Sequence, residues 1–218
     1  MIFNFAKDIA RNRSMDEKHQ NYFLRIYDLY NRYGIKSVTM DDVARELAIS
    51  KKTLYECVKD KAELVEQVMF MIHRHHADKL NILVSNEVNA IEELFIVNRY
   101  MNEMMKDQNP SLAYDLRKYY PGIFQRLLSK QRESMYEAIR LNLEKGVREG
   151  LYRKTMNIEL ISKIHLTRLE YRHSSDPYVL SDLNSEELMR EIFVYHLHGI
   201  ASETGLKELD KQIKKHWK

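Results

Sequence analysis

The amino-acid sequence predicts an all-α protein, and three observations support that fold class. Apolar residues recur at helical spacing along most of the 218 residues, and no segment shows the strict alternation of a half-buried strand. Only 6 glycines and 3 prolines are present, so tight turns should be few. No internal repeat of solenoid length is visible. We therefore expect helices joined by short links.

The first predicted helix runs from about Gln20 to Tyr33. Its buried stripe is expected to contain Tyr22 or Phe23, Ile26, Leu29 or Tyr30, and Tyr33. Gly34 follows, as expected where a helix ends with a residue of positive φ. Residues 1–17 are interpreted as an N-terminal extension. Their basic residues could form an arm that reaches a DNA groove, or the segment could be a loosely held terminus.

The most informative stretch is residues 39–61, TMDDVARELAISKKTLYECVKDK. Met40, Val43, Ala44 and Leu47 predict one buried helical face, and Thr39 with the acidic residue three positions later predicts a capping box. Ser50 is placed to cap a second short helix over residues 51–57. Two short helices with a tight break form a helix-turn-helix, in which the second helix enters the DNA major groove.

This stretch resembles the DNA-binding domain of the TetR family of transcriptional repressors, and the resemblance covers residues 20–66. The residues that carry it are Tyr33-Gly34, Val38-Thr39-Met40, Asp42-Val43-Ala44, Leu47-Ala48-Ile49-Ser50, Thr53-Leu54-Tyr55 and Lys59-Asp60-Lys61-Ala62-Glu63-Leu64. Many family members have His or Tyr where this chain has Cys57. We expect Cys57 to pack as a small apolar side chain.

Seven residues are predicted to contact DNA. Three polar side chains at the start of the second helix should reach base edges, while flanking hydroxyl and ammonium groups should reach phosphates. The predicted set is Thr39, Ser50, Lys51, Lys52, Thr53, Tyr55 and Lys61. The net charge of +3 lies wholly within residues 1–61, which hold 12 Lys and Arg against 9 Asp and Glu. That excess suits a DNA-binding surface, although it is also ordinary for a protein surface.

Downstream, the periodicity predicts a long helix from Lys61 to Leu83 that serves both halves of the protein. Further helices follow, and the last two are predicted near residues 158–171 and 185–203. The middle helices are rich in Tyr and Met, which could line an apolar pocket for a small molecule or could simply form core. The resemblance favours the pocket, because family members commonly bind small molecules in this domain. The predicted lining residues are Tyr100, Met101, Met104, Met105, Tyr114, Tyr119, Tyr120 and Tyr136.

The resemblance also implies a homodimer, built from two C-terminal helices of each subunit that form a four-helix bundle. The two helices interpreted as the last of the chain carry apolar stripes that could form this interface, or could be buried within one subunit. The predicted interface residues are Ile161, Ile164, His165, Leu188, Ile192, Tyr195 and Gly199.

Other kinds of site have little support in the sequence. His73 and His76 are one helical turn apart, and His196 and His198 share a predicted helix, but no Cys or carboxylate stands at a supporting spacing. We therefore predict no metal and no cofactor. An enzyme is the principal alternative function, but no phosphate-binding glycine loop and no nucleophile with an adjacent base is visible. A helical adaptor that binds only protein is the third possibility.

The sequence thus predicts a DNA-binding domain over residues 18–66 and a larger ligand-binding and dimerisation domain over residues 67–218. The expected function is transcriptional regulation, as a repressor that a small ligand releases from a palindromic operator on duplex DNA. The single cysteine, the lack of a secretory pattern and the lack of a long apolar run lead us to expect a cytoplasmic protein that does not enter a membrane.

Overall fold

The computed structural model describes residues 13–84, 87–106, 109–171 and 186–217. The described residues form helices and no strand, apart from one isolated antiparallel bridge between Tyr152 and Ala201. The helices are α1 Arg13–Tyr33, α2 Met40–Glu46, α3 Lys51–Cys57, α4 Lys61–Leu83, α5 Ala90–Lys106, α6 Pro110–Tyr119, α7 Pro121–Arg148, α8 Ile158–Tyr171, α9 Glu186–Ile200 and α10 Glu203–His216. The predicted all-α fold class is confirmed.

The bounds of α3 and α4 agree with the sequence prediction, but α1 differs from it in two respects. It begins at Arg13 and not near Gln20, because residues 13–19 are compatible with a helix yet carry no apolar stripe that would reveal one. Tyr33, predicted to be buried, is 62% exposed, because it borders an open hollow, whereas Tyr30 in the same turn is fully buried. Residues 1–12, which include most of the predicted extension, lie outside the described residues.

The chain divides into two compact units, which we call unit 1 and unit 2. Unit 1 is Met1–Lys79 with Met104–Ser129, and unit 2 is Leu80–Glu103 with Lys130–Lys218. Compactness therefore groups part of the later chain with the helix-turn-helix. The predicted division by function at residue 66 is a different kind of boundary and stays a prediction.

The core of unit 1 joins the helix-turn-helix to α1, to α4 and to later helices. Apolar side chains of α2, α3 and the turn between them are buried against side chains of α1 and α4, and α6 and the start of α7 add to the same cluster. The buried residues include Ile26, Tyr30, Ile35, Val43, Leu54, Leu64, Val65, Val68, Leu116 and Leu127. Three short helices of about 45 residues rarely make a stable core alone, and this packing supplies the missing apolar area.

The core of unit 2 is centred on Tyr152, which is fully buried. Its hydroxyl, which has one hydrogen to donate, lies within hydrogen-bonding distance of two acceptors, the carbonyl oxygen of Ala90 at 3.2 Å and Oδ1 of Asn142 at 3.1 Å. Phe95, Leu143, Phe193, Leu197 and Leu209 are among the apolar residues of the surrounding cluster. The polar end of Tyr152 is thus satisfied inside an otherwise apolar core.

Unit 2 also contains a helix that the sequence reading missed. A single helix was predicted near 185–203, but α9 ends at Ile200 and α10 begins at Glu203. Ser202 caps α10 by accepting a hydrogen bond from the backbone N–H of Gly205 at 3.0 Å, and Leu206, Leu209 and Ile213 pack on the core. The signal was Ser202 followed by apolar residues at helical spacing. The helices predicted to be the last two are therefore α8 and α9, which α10 follows.

Within the described ranges, no helix is both long enough and apolar enough to cross a membrane.

Candidate nucleic-acid interface

The first helix of the predicted DNA-binding motif begins with a complete capping box. The hydroxyl of Thr39 accepts a hydrogen bond from the backbone N–H of Asp42 at 3.1 Å, and the carboxylate of Asp42 accepts from the backbone N–H of Thr39 at 2.9 Å. The Thr39 hydroxyl also donates to this carboxylate at 2.7 Å, and these bonds lower the pKa of Asp42. The predicted cap is confirmed, and it fixes the start of α2.

The turn between the two helices depends on one residue in an unusual backbone conformation. Ala48 has a φ of +53°, which is uncommon for a residue with a side chain. The backbone N–H of Ile49 donates back to the carbonyl oxygen of Ala44 at 3.0 Å, which closes the end of α2. Ser50 follows directly and is the N-cap of α3.

The second helix is held by its inner face and leaves its outer face to solvent. Ser50 accepts a hydrogen bond from the backbone N–H of Thr53 at 3.0 Å, and its hydroxyl lies 2.8 Å from that of Thr53. Leu54 is buried, whereas Lys51, Lys52 and Tyr55 are exposed. These exposed groups can donate hydrogen bonds to base edges or phosphates, as a helix that enters a major groove requires.

A model of bacterial regulatory proteins of the tetR family matches residues 27–68, which span this motif with its flanking helices. Residues 27–68 therefore carry the N-terminal DNA-binding domain of the TetR family. This domain and the shared fold support a DNA-binding transcriptional regulator, and regulators of the TetR family are generally not enzymes.

Solved TetR-family structures share the fold of this chain at low sequence identity. A TetR regulator from Haloarcula marismortui has a TM-score of 0.66 at 14% identity and covers 86% of this chain and 100% of its own. A regulator from Cytophaga hutchinsonii gives 0.65 at 12%, with 88% and 98% covered. CprB from Streptomyces coelicolor, solved with its operator, gives 0.57 at 15%, with 92% and 97% covered. Comparison with curated proteins gave no match.

Of the three lysines predicted to contact DNA, Lys51 and Lys61 have their ammonium groups engaged within the protein. Nζ of Lys51 lies 2.9 Å from a carboxylate oxygen of Asp41 on α2, and this partner raises the pKa of Lys51. Nζ of Lys61 donates to the carbonyl oxygen of Lys36 at 3.2 Å. Partial burial lowers the pKa of Lys61, and the opposing effects of Asp115 and Asp42 do not cancel it.

The predicted DNA contacts therefore form one region of unit 1. Thr39 and Lys61 are tied to it by hydrogen bonds to neighbouring residues, whereas Lys52 and Tyr55 project from α3. Their roles toward DNA stay predictions. The expectation for Cys57 is wrong, because this side chain is exposed at the last residue of α3.

Three nearby residues were not predicted from the sequence as DNA contacts. Lys36 precedes α2 and extends over the ring of Tyr119, with its Nζ 4.9 Å from the ring centroid. Nζ of Lys118 lies 5.4 Å from the centroid of the same ring. No local pattern connects residues 36 and 119, so only the folded chain shows that these groups are neighbours. Tyr119 had been assigned to the ligand pocket.

The predicted ligand-pocket residues are distributed over both units. Met104, Tyr114, Tyr119 and Tyr120 belong to unit 1, and Tyr100, Met101 and Tyr136 belong to unit 2. The side chain of Met105 lies outside the described residues. Tyr114 and Tyr119 are exposed, which does not suit a pocket lining, and the other five described side chains are half-buried. The ligand pocket stays a prediction.

Two hollows on unit 1 do not involve the predicted pocket residues. The larger, of about 530 Å³, is lined by Arg25, Leu29, Tyr33, Ser37, Val38, Asp42, Arg45 and Glu46, and the other lies beside Lys59 and Arg126. No group of three or more His, Cys, Asp or Glu that could hold a metal ion occurs among the described side chains.

The predicted dimer surface is partly exposed. Ile164 on α8 is 60% exposed and Tyr195 on α9 is 83% exposed. Gly199 is exposed with open space around it, and Ile161, Leu188 and Ile192 are half-buried. His165 differs from the prediction, because it is 5% exposed and its ring packs on that of His196 with centroids 4.1 Å apart. An exposed face for a partner therefore excludes His165 and includes Leu160, which is also exposed.

Proposed function

We propose that this chain is a homodimeric repressor that binds a palindromic operator and leaves it when a small molecule binds the larger domain. The observation that carries the proposal is the exposed start of α3, where Lys51, Lys52 and Tyr55 stand on a helix whose inner face is anchored by Leu54. We also propose that it has no enzymatic activity and that it meets DNA in the cytoplasm.

The dimer is supported by the apolar groups on α8 and α9. Leu160, Ile164 and Tyr195 are large apolar side chains that the subunit leaves in water. A second copy would remove this surface from solvent, which favours association. A two-fold dimer would present two α3 helices to two half-sites about 34 Å apart, so its operator would be palindromic. The operator complex of CprB gives a precedent among proteins of the same fold.

The proposed effect of the ligand is a shift between two conformations. A ligand can release DNA only if it binds one conformation better than the other, and such couplings are typically about 1–3 kcal/mol. The Tyr and Met residues of the middle helices offer adaptable apolar contacts for it. The helix α4 is our candidate for the connection, because residues 61–79 of it belong to unit 1 and residues 80–83 to unit 2.

The experiment that tests operator binding is selection of bound fragments from genomic DNA by the purified full chain, followed by sequencing. The expected product is a two-fold-symmetric site with half-sites one helical turn apart. Recovery of no enriched sequence, or of a site without two-fold symmetry, would contradict the proposal. Screening small apolar molecules for release of the selected duplex then tests the ligand separately.

Single substitutions can separate base recognition from phosphate contact. Lys61→Ala should weaken binding to every duplex and lower the salt slope by about one, as loss of one phosphate contact requires. Lys51→Ala and Thr53→Ala should instead change the preferred bases of the selected site. Equal effects of all three on affinity, with no altered preference, would show that this assignment of roles is wrong.

A further inference from the structure

We propose that Lys36, Lys118 and Tyr119 form a second phosphate-binding site, the anion patch, which holds the operator backbone outside the helix-turn-helix. The proposal rests on the proposed operator binding and adds contacts from α6 to it. The ligand is a phosphodiester of duplex DNA, recognised by two ammonium groups and one phenol.

The geometry brings two cations to one aromatic ring. Nζ of Lys36 lies 4.9 Å from the ring centroid of Tyr119, and Nζ of Lys118 lies 5.4 Å from the same centroid. Lys118 also donates to the hydroxyl of Tyr114 at 2.8 Å. Hydrogen bonding from Lys36 is the main cause that lowers the pKa of Tyr119, and the charge of Lys118 acts in the same direction. All four side chains are exposed, so a ligand can reach them.

Neither lysine of the patch forms a salt bridge with a carboxylate in the part of the chain that the structure describes. Other lysines of the described residues do form such pairs, namely Lys51 with Asp41, Lys145 with Glu93 and Lys215 with Glu92. The nearby carboxylate of Asp115 is buried and accepts a hydrogen bond from the backbone N–H of Lys36, not from the Lys36 ammonium group. Two ammonium groups on one ring repel each other, and a phosphate between them would provide the missing counter-charge.

The position of the patch connects it to the predicted phosphate contacts. Lys36 lies three residues before Thr39, and its carbonyl oxygen accepts the hydrogen bond from Nζ of Lys61. Its backbone N–H is held by Asp115 at 2.9 Å, so the loop that carries it is anchored to α6. The patch thus continues, within unit 1, the surface on which Thr39 and Lys61 were predicted to meet the DNA backbone.

The other interpretation is that the two lysines only rest on an aromatic ring, an arrangement common on protein surfaces. The two interpretations differ in the number of phosphates that the protein neutralises. That number is measured by the dependence of affinity on salt, because each neutralised phosphate contributes about 0.9 to the slope of log K against log salt concentration.

The test compares the parent full chain with the double variant Lys36→Gln/Lys118→Gln on the selected operator and on a random duplex. We expect the salt slope to fall by about 1.8 on both, since phosphate contacts carry no sequence information.

Two control variants and a second assay accompany this test. Lys207→Gln/Lys214→Gln removes the same charge from exposed positions of α10 and should leave the slope unchanged. Lys36→Arg/Lys118→Arg retains the charge and should keep the slope of the parent. Phosphate ethylation should interfere with parent binding at positions where it no longer affects the double variant.

The outcomes separate the two proposals. A double variant that remains folded by circular dichroism and binds with the salt slope of the parent would overturn the anion patch while operator binding stands. A parent chain that binds no duplex would overturn both. A slope lowered equally in the α10 control would show an effect of net charge and would also overturn the patch.

Discussion

The carboxylate of Asp115 accepts a hydrogen bond from the backbone N–H of Lys36 at 2.9 Å, linking α6 to a loop that precedes it by 79 residues. Asp115 is 8% exposed, so its charge is stabilised by protein groups more than by water. The same loop begins at Gly34 and leads into Thr39. Asp115 therefore fixes the loop that leads into α2. The same loop carries the carbonyl oxygen of Lys36, which accepts the hydrogen bond from Lys61.

The first prediction concerns the glycine at the start of this loop. Gly34 has a φ of +79°, and a Cβ there would lie 2.9 Å from Oδ2 of Asp115. Gly34→Ala should lower the free energy of unfolding by more than the roughly 1 kcal/mol that a left-handed residue with a Cβ costs, because the carboxylate must also move. Urea unfolding followed by circular dichroism measures this.

Gly150 provides the matched control. Its φ is +72°, but a Cβ there would meet nothing within 4 Å. Gly150→Ala should therefore show only the backbone cost of about 1 kcal/mol. Equal destabilisation by both substitutions would mean that Asp115 adjusts freely and does not anchor the loop.

The second prediction concerns the ion pair at the start of α3. Asp41→Asn should tighten DNA binding, because it releases Lys51 and removes a negative charge beside the predicted phosphate contacts. An exposed pair is worth up to about 1 kcal/mol, so the gain should be within about fivefold. Binding of the selected operator over a range of salt concentrations measures it.

A matched control for this change is Glu133→Gln, which breaks the exposed pair with Lys130 in unit 2 and changes the net charge equally. It should leave the affinity within error of the parent. Weaker binding by Asp41→Asn would indicate the opposite role for Asp41, namely that it orients Lys51 in the bound state.

Structural features that depend on residues close together in the sequence were predicted more successfully than features that depend on distant residues. The caps at Thr39 and Ser50 and the bounds of α3 and α4 were predicted correctly, because they follow from residues within one or two turns of each other. The exposure of Tyr33 and Cys57 was not, because burial at a helix end depends on what the rest of the chain places there.

The same limit applies to the candidate sites. The contacts of Lys36 with Tyr119 and Asp115 join residues about 80 positions apart, and no periodicity in the sequence reports such pairs. The helix α10 is a different case, since its capping serine and apolar spacing were present in the sequence. It was missed because residues 185–203 were read as a single helix through the break at Ala201 and Ser202.

The third prediction concerns dimerisation. Tyr195→Asp should convert the protein to monomers, because it places a charge at the most exposed of the large apolar side chains on α8 and α9 that are predicted to meet the partner. Analytical ultracentrifugation measures the mass. Leu141→Asp alters another exposed apolar side chain, which is 50% exposed on α7, and should leave the dimer intact. Dimers that persist in Tyr195→Asp would place the interface elsewhere.

The last prediction concerns the buried histidines between α8 and α9. The rings of His165 and His196 are in contact, and Nη2 of Arg168 lies 2.9 Å from Nε2 of His165. Burial, with a smaller contribution from the charge of Arg168, lowers the pKa of His196 to about 4. Burial and the same neighbours lower the pKa of His165 as well. Both rings are therefore neutral in the folded protein at pH 7.

A histidine whose pKa is lower in the folded state than in the unfolded state binds protons more readily when the protein unfolds. Its contribution to stability is complete above about pH 6.5 and is lost as the pH falls towards 4. Between pH 7.5 and 5.0, His196 alone should reduce the free energy of unfolding by about 2 kcal/mol. Urea unfolding at the two pH values and at one protein concentration measures the loss.

His196→Gln removes this titration and keeps a polar side chain of similar size. The variant should therefore lose about 2 kcal/mol less than the parent between pH 7.5 and 5.0, whatever its stability at pH 7.5. His198→Gln, at an exposed position two residues away on α9, should retain the pH dependence of the parent. If His196→Gln loses as much stability in acid as the parent, His196 is not the group that titrates. The acid sensitivity of unit 2 would then have to come from His165 or from the carboxylates of unit 2.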